Sequence, residues 1–248
     1  MEISLAAEKI GHLGSLPVTN SMLLSWVAAI LLVSLSLLAT RTMALVPRGI
    51  QNFFEMIVEF LFNMVNEVMG DRNQTKKYFP LIATIFLFVI VNNWLGLVPG
   101  VGSITIDTIH NGHHITVPLF RSGSADLNTT LGLAIVTMVA VQVFGVLAIG
   151  IVKFAKKFVN LKNPILTAVG MLELLSEFSK MISFSFRLFG NIFAGEVLLI
   201  IVSFLVPYIA PLPFFALELF VGMIQALVFS MLALVFIKMA ITDHAEEH

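Results

Sequence analysis

The chain is 248 residues long, 58% hydrophobic and only 12% charged, with a net charge of −1 and no cysteine. Soluble domains carry roughly 25% charged residues, so this balance and a mean hydropathy of +0.98 set the chain among membrane proteins. The near-zero net charge offers nothing to nucleic acid, and the lack of cysteine excludes disulfides, thiolate metal sites and iron–sulfur ligation.

The sequence predicts an all-α membrane protein folded as one membrane domain over 1–248. Residues 1–21 read as an external N-terminus. The apolar run that follows lacks a positive flank and a small-residue cleavage site, so it is expected to be retained as a spanning helix over 22–40. Residues 47–70 form a different kind of segment, with Pro47 to open a helix and Gly70 to close it. Ile50, Phe53, Phe54, Ile57, Leu61, Met64, Val65 and Val68 mark one apolar stripe, opposite Gln51, Asn52, Glu55, Glu59, Asn63 and Asn66. That helical period predicts an amphipathic helix lying in the membrane interface.

Further spans are expected over 79–99 and 127–152. A long apolar segment over 164–206 holds Glu173, Glu177, Lys180, Arg187 and Glu196. After the turn Pro207–Pro213, a last helix over 214–241 holds Glu218 and Gln225, which brings the spans to five. The segment 164–206 would be about 64 Å long as a helix, twice the roughly 30 Å hydrocarbon thickness. It must tilt steeply or break, and with the last helix it forms a long hairpin.

Arg41, Arg48, Arg72, Lys76 and Lys77 follow the first span, and Lys153, Lys156, Lys157 and Lys162 follow the third. The loop 100–126 has only Arg121, and the last turn has no cation. The positive-inside rule therefore puts the N-terminus outside and the C-terminus in the cytoplasm. No internal repeat is visible, which argues against a repeat-built secondary transporter.

A charged side chain at the centre of a span costs about 2.5–3.5 kcal/mol on insertion scales. Lys180 and Arg187 are seven residues apart and share a helix face, which Asn191 extends one way and Glu173 and Glu177 the other. Glu177 and Lys180 have i,i+3 spacing for an ion pair. Glu196 is nine residues past Arg187 and lies half a revolution away. With a hairpin apex near Val206–Pro207, Glu196 falls level with Glu218, Arg187 with Gln225, and Asn191 with Gly222. The two polar pairs are then about 13 Å apart along the axis.

Two close carboxyls hold one proton more readily than a lone one, which suits a relay. A guanidinium never releases its proton, so Arg187 can attract a partner's carboxylate but cannot pass a proton on. Such a group separates two half-paths. The plainer alternatives are an internal salt bridge for Arg187, Glu196 and Glu218, and snorkelling for Lys180. Glu173 and Glu177 also read as ordinary helix-end residues. Asn92, Asn93 and Gln142 read as interhelical glue. His110, His113 and His114 read as a solvated external loop rather than a metal site. With His12, His244 and His248 they all lie outside the spans, so no axial haem ligand sits within the membrane.

The run Ser185-Phe-Arg-Leu-Phe-Gly-Asn-Ile-Phe-Ala-Gly-Glu196 closely resembles the signature of subunit a of F-type ATP synthases. Val46-Pro-Arg-Gly-Ile-Gln-Asn, Asn92-Asn-Trp-Leu-Gly-Leu-Val-Pro and Ser124-Ala-Asp-Leu-Asn-Thr are similar to that family in order and spacing. The likeness covers about 45–240. The resemblance implies the stator half of an ion-driven rotor, conducting protons through two offset half-channels. Its partners would be a turning ring of c-type hairpin subunits that each carry a buried carboxyl, peripheral-stalk b-type subunits and membrane lipid. It implies long tilted helices that follow the ring. Arg187 matches the arginine facing that ring, and Asn191, Glu196, Glu218 and Gln225 match outer half-channel positions. Asp126 matches an acid near the channel mouth. Glu173, Ser176 and Lys180 match positions toward the inner half-channel. Some members carry His where this chain has Glu218.

The expectation is a non-nucleotide-binding subunit in the plasma (inner) membrane of a bacterium, in preference to a thylakoid membrane. It has no cofactor, no metal and no catalytic residue, and sodium is the alternative ion. No G-x-x-x-x-G-K phosphate loop is present. The competing readings are a cation/proton antiporter and a proton-pumping subunit of a respiratory chain.

Overall fold

The computed structural model describes residues 7–14, 16–41, 49–110, 113–158 and 164–242. Among them, five helices are long and apolar enough to cross a membrane. A short hairpin, β1 (Lys9–Leu13) and β2 (Leu16–Thr19), leads directly into helix α1 (Asn20–Thr40). Thr19 caps α1 by accepting from the Met22 amide, which satisfies one of the orphan donors of the first turn. Helix α2 (Ile50–Met69) is the expected amphipathic segment. Leu61, Val65 and Met69 are buried on the domain, while Phe53 and Phe60 stay exposed. Gly70 ends α2 in the left-handed region at φ 76°, where a side chain would be strained. Pro47, the expected opener, and its neighbour Arg48 lie outside the described residues.

Helix α3 (Arg72–Gly96) starts seven residues earlier than the apolar run predicts. Asp71 caps it by accepting from the Asn73 amide, and the Arg72–Lys77 stretch is built largely of good helix formers. Apolarity marks the membrane core and not the helix, so the cationic first turns are invisible to it. Two short elements follow in the loop: strands β3 (Thr105–His110) and β4 (His113–Pro118), paired antiparallel. The sequence carries the strongest short hairpin signal, Asn-Gly, between alternating Ile, Thr and Val, and a search for spans overlooks it. The side chains of His110, His113 and His114 lie outside those described.

Helix α4 (Leu127–Ile149) ends at Gly150, and a separate amphipathic turn of helix, α5 (Ile151–Phe158), carries Lys153 and Lys156 where a plain loop was expected. Gly170, on the next helix, lies against the Phe158 backbone, and a Cβ there would collide with it. That next helix, α6 (Pro164–Leu205), is unbroken over 42 residues. A continuous helix of about 63 Å leaves only the oblique course of the two expected. After a turn with Tyr208 at φ 92°, α7 (Pro211–Ile241) returns along α6 and packs on α3 and α4. Pro211 and Pro213 sit in its first turn, where a missing N–H does no harm.

The core lies among α3, α4, α6 and α7. Leu188, Phe229, Ala233, Leu234 and Ile237 are fully buried there, and the Phe184 and Phe229 rings meet at 3.8 Å. Lipid offers as apolar a surface as these side chains do, so polar contacts and small residues carry much of the helix pairing. Asn93 Nδ2 donates to the Gly222 carbonyl at 2.9 Å and Trp94 Nε1 to the Leu219 carbonyl at 3.1 Å, tying α3 to α7. The Thr130 and Ser185 hydroxyls bond at 3.1 Å between α4 and α6. Ser25 Oγ donates to Asn92 Oδ1 at 3.1 Å between α1 and α3. Asn92 and Asn93 thus act as the interhelical glue their chemistry predicts.

Candidate functional site

Arg187 sits near the middle of the apolar stretch of α6, and its side chain is exposed. Among the described residues it makes no hydrogen bond or ion pair with its own chain. Its neighbours in sequence show why. Leu188 and Phe184, Ser185 and Ile192 point into the core, and the 3.6-residue period then turns Ile182, Phe186 and Arg187 outward.

Two cavities open along α6 on either side of this residue. The first, of about 260 Å³, touches α6 from Ile192 to Ile200 and is lined by Glu196, Glu218, Arg121, Asn93, Glu8 and Asn20, among others. The second, of about 620 Å³, touches α6 from Leu174 to Met181 and contains Gln142 and Glu177 in a mostly apolar wall. Arg187 occupies the interval between them. Glu196 is nine residues away on one side and Lys180 seven on the other, or about 13 Å and 10 Å of helix rise.

In the first cavity Glu218 is only 6% exposed. Its carboxyl lies directly against Gly195, where a Cβ would collide with all three carboxyl atoms. Its Oε1 is buried with no hydrogen-bond partner among the described residues, as is Nε2 of Gln225 about two turns further along α7. The partner of Glu196 is a cation, not the Glu218 carboxyl expected level with it. Arg121 Nε donates to Glu196 Oε2 at 3.3 Å, and the Arg121 guanidinium lies 5.6 Å from the centre of the Phe193 ring. Sequence reasoning placed Arg121 in a solvated loop and missed it. The available signal was that it is the lone cation of the loop 100–126, five residues before the acid that opens α4.

The expected level pairing of Arg187 with Gln225 is not the one formed. Asn191 Nδ2 donates to Gln225 Oε1 at 2.6 Å. The pairing is displaced by one turn because the α6–α7 connection is a five-residue turn over 206–210, not a sharp apex, and Arg187 is left free of its own chain. Gly222, the expected partner of Asn191, gives its carbonyl to Asn93.

Asp126 is 3% exposed and acts as the N-cap of α4. Its Oδ1 accepts from the Asn128 amide at 3.2 Å, and its Oδ2 accepts from Ser21 Oγ at 2.8 Å and Thr129 Oγ1 at 3.0 Å. It lies outside the lining of the first cavity and locks α1 to the start of α4.

At the second cavity, Glu177 is the hub. Lys180 Nζ donates to its Oε1 at 2.7 Å, as the i,i+3 spacing predicts, and Gln142 Nε2 donates to its Oε2 at 3.0 Å. Lys180 also lies 5.4 Å from the Phe236 ring, so it is held by its neighbours rather than only snorkelling. Glu173 is half-buried and Ser176 exposed on the same helix.

A polytopic helical protein that exposes one guanidinium at mid-span, between two cavities that hold carboxyls, belongs to the class of ion-translocating membrane subunits. The profile of the ATP synthase A chain family matches residues 22–238. ATP synthase subunit a of Moorella thermoacetica is 31% identical over 236 residues, 95% of this chain and 97% of that one. The subunit a of Gloeobacter violaceus is 36% identical over 250 residues, 98% and 95% of the two chains. That of Campylobacter jejuni is 36% identical over 209 residues, 84% of each. The chain belongs to the ATP synthase A chain family, that of the proton-conducting stator subunit a. Membership removes the antiporter and respiratory-pump readings and makes the chain a membrane-sector component of a larger complex.

Proposed function

We propose that this chain moves protons through two offset half-channels that meet a rotating ring of c-type hairpin subunits at Arg187. The observation that carries the reading is the placement of Arg187: it faces outward at mid-span, between two cavities that share no lining residue. A proton from outside enters the first cavity, whose lining includes the carboxyls Glu196 and Glu218. The Asn191–Gln225 amide pair, one turn from Arg187, lines the last step to the ring. There a ring carboxylate takes the proton and leaves the guanidinium. After a turn of the ring the proton leaves toward the cytoplasm past Glu173, Ser176, Lys180 and the Glu177 hub. Arg187 attracts each returning carboxylate and, being unable to deprotonate, blocks a direct leak between the cavities.

The chain is placed in a bacterial plasma membrane with its N-terminus outside, following the cationic loops, and with b-type stalk subunits beside it. Asp126 is assigned to holding the mouth of the path rather than carrying the proton.

The test is Arg187→Ala in the assembled complex. ATP-driven pumping and gradient-driven synthesis should both disappear, while the complex still assembles and hydrolyses ATP. Arg187→Lys should fail largely as well, since a buried lysine can lose its charge. Coupling retained in the alanine variant rejects the assignment.

A further inference from the structure

We infer that Arg121 divides the labour of the first cavity: it ties Glu196 into a standing ion pair, so that Glu218 alone carries the mobile proton. The inference rests on the half-channel reading above and deepens it. Arg121 is 8% exposed, although it comes from a loop. A guanidinium removed from water needs a partner anion, and Glu196 supplies one at 3.3 Å. The Phe193 ring, one turn before Glu196 on α6, holds the guanidinium plane from the side. Three contacts therefore fix this pair: a loop anchor, an ion pair and a ring.

Glu218 is treated differently by the fold. Its carboxyl rests on the bare backbone of Gly195 and faces the cavity with one oxygen unpartnered among the described residues. No described cation lies beside it. The charged groups that line the cavity are Glu8, Arg121, Glu196 and Glu218. Of these, Glu8 comes from the segment before β1, Arg121 from the loop before α4, Glu196 from α6 and Glu218 from α7. Asn93 of α3 is neutral. A carboxylate held by a guanidinium must break that pair to take a proton. A carboxyl with an unpartnered oxygen has no ion pair to break. Arg121 is thus a positioning residue, and its service is to keep Glu196 out of competition with Glu218.

The test uses the assembled complex in inverted vesicles stripped of the soluble sector, with passive proton conduction followed across a pH series. Arg121→Gln and Glu196→Gln should each lower conduction about tenfold and move its pH profile, because each strands one charge in the cavity. The double variant Arg121→Gln/Glu196→Gln strands neither charge and should conduct at least about fivefold better than either single variant, with a pH profile moved back toward the parent's. Arg121→Lys keeps the charge and should retain most of the conduction. Glu218→Gln should conduct nothing above background. Subunit content of the membranes, measured alongside, separates conduction from assembly.

Conduction absent from both Glu218→Gln and the double variant overturns the division of labour and leaves the half-channel reading intact, since Glu196 would then be a carrier too. Normal conduction in Glu218→Gln overturns it as well and makes Glu196 the carrier, whereas only coupling retained in Arg187→Ala overturns the half-channel reading.

Discussion

Gly195 shows how one absent side chain sets the chemistry of a site. The Glu218 carboxyl occupies the volume where a Cβ would stand on Gly195, so Gly195→Ala must push that carboxyl out of its place. Proton conduction in the assembled complex is expected to fall by at least tenfold, equivalent to about 1.4 kcal/mol in the transfer barrier. Gly132 on α4 is the control, because a Cβ there meets nothing. Gly132→Ala should leave conduction unchanged and stabilise the helix by about 0.5–1 kcal/mol. If both variants conduct like the parent, the contact with Gly195 does not position Glu218. Arg187, Glu196 and Glu218 were all legible as charges inside apolar runs, because lipid makes each of them expensive. Arg121 was not legible, because a cation in a loop normally costs nothing. Only the folding of that loop into the helix bundle makes its charge matter.

At the scale of elements, Asp126 is the informative residue. Its carboxyl caps α4 and holds the Ser21 hydroxyl of α1 at once. Asp126→Ala removes a cap worth about 1 kcal/mol and strands buried hydroxyls at roughly 1–3 kcal/mol more. The subunit should therefore unfold in detergent several degrees lower and lose α1 first, visible as early hydrogen exchange over 20–30. Asp126→Asn keeps an acceptor for the cap and should conduct protons normally. A dead but well-assembled asparagine variant would return Asp126 to the proton path. Periodicity and apolarity found the spanning helices, with 127–152 and 164–206 expected against Leu127–Ile149 and Pro164–Leu205 observed. The pieces that escaped, the two hairpins, α5 and the first turns of α3, are short or polar segments outside the long apolar runs. There water replaces lipid and the hydrophobic signal no longer reports on the backbone.

The whole molecule has two surfaces of different meaning, and the lack of any native cysteine makes both easy to probe. The first question is which end faces outside. An impermeant thiol reagent applied to right-side-out vesicles should label Ser103→Cys, on the β3 side, and spare Thr242→Cys at the end of α7, both exposed positions. The reverse pattern inverts the topology and exchanges the two half-channels. The second question is where the proposed ring sits. On α6 the exposed positions Leu175, Ser179, Ile182, Ser183, Phe186 and Arg187 form one strip along a helix too long to stand upright in the membrane, whereas Phe184 and Ser185 are buried. A guanidinium on an apolar strip is stable at that depth only if an acid on a neighbouring subunit meets it. Ser183→Cys should therefore form an oxidative cross-link with a cysteine on the outer helix of a ring subunit, near its carboxyl, and Ser185→Cys should not, although the two residues are two apart in sequence. Cross-linking at Ser185 and not at Ser183 would mean that the ring packs on the opposite face of α6, with Arg187 turned into lipid.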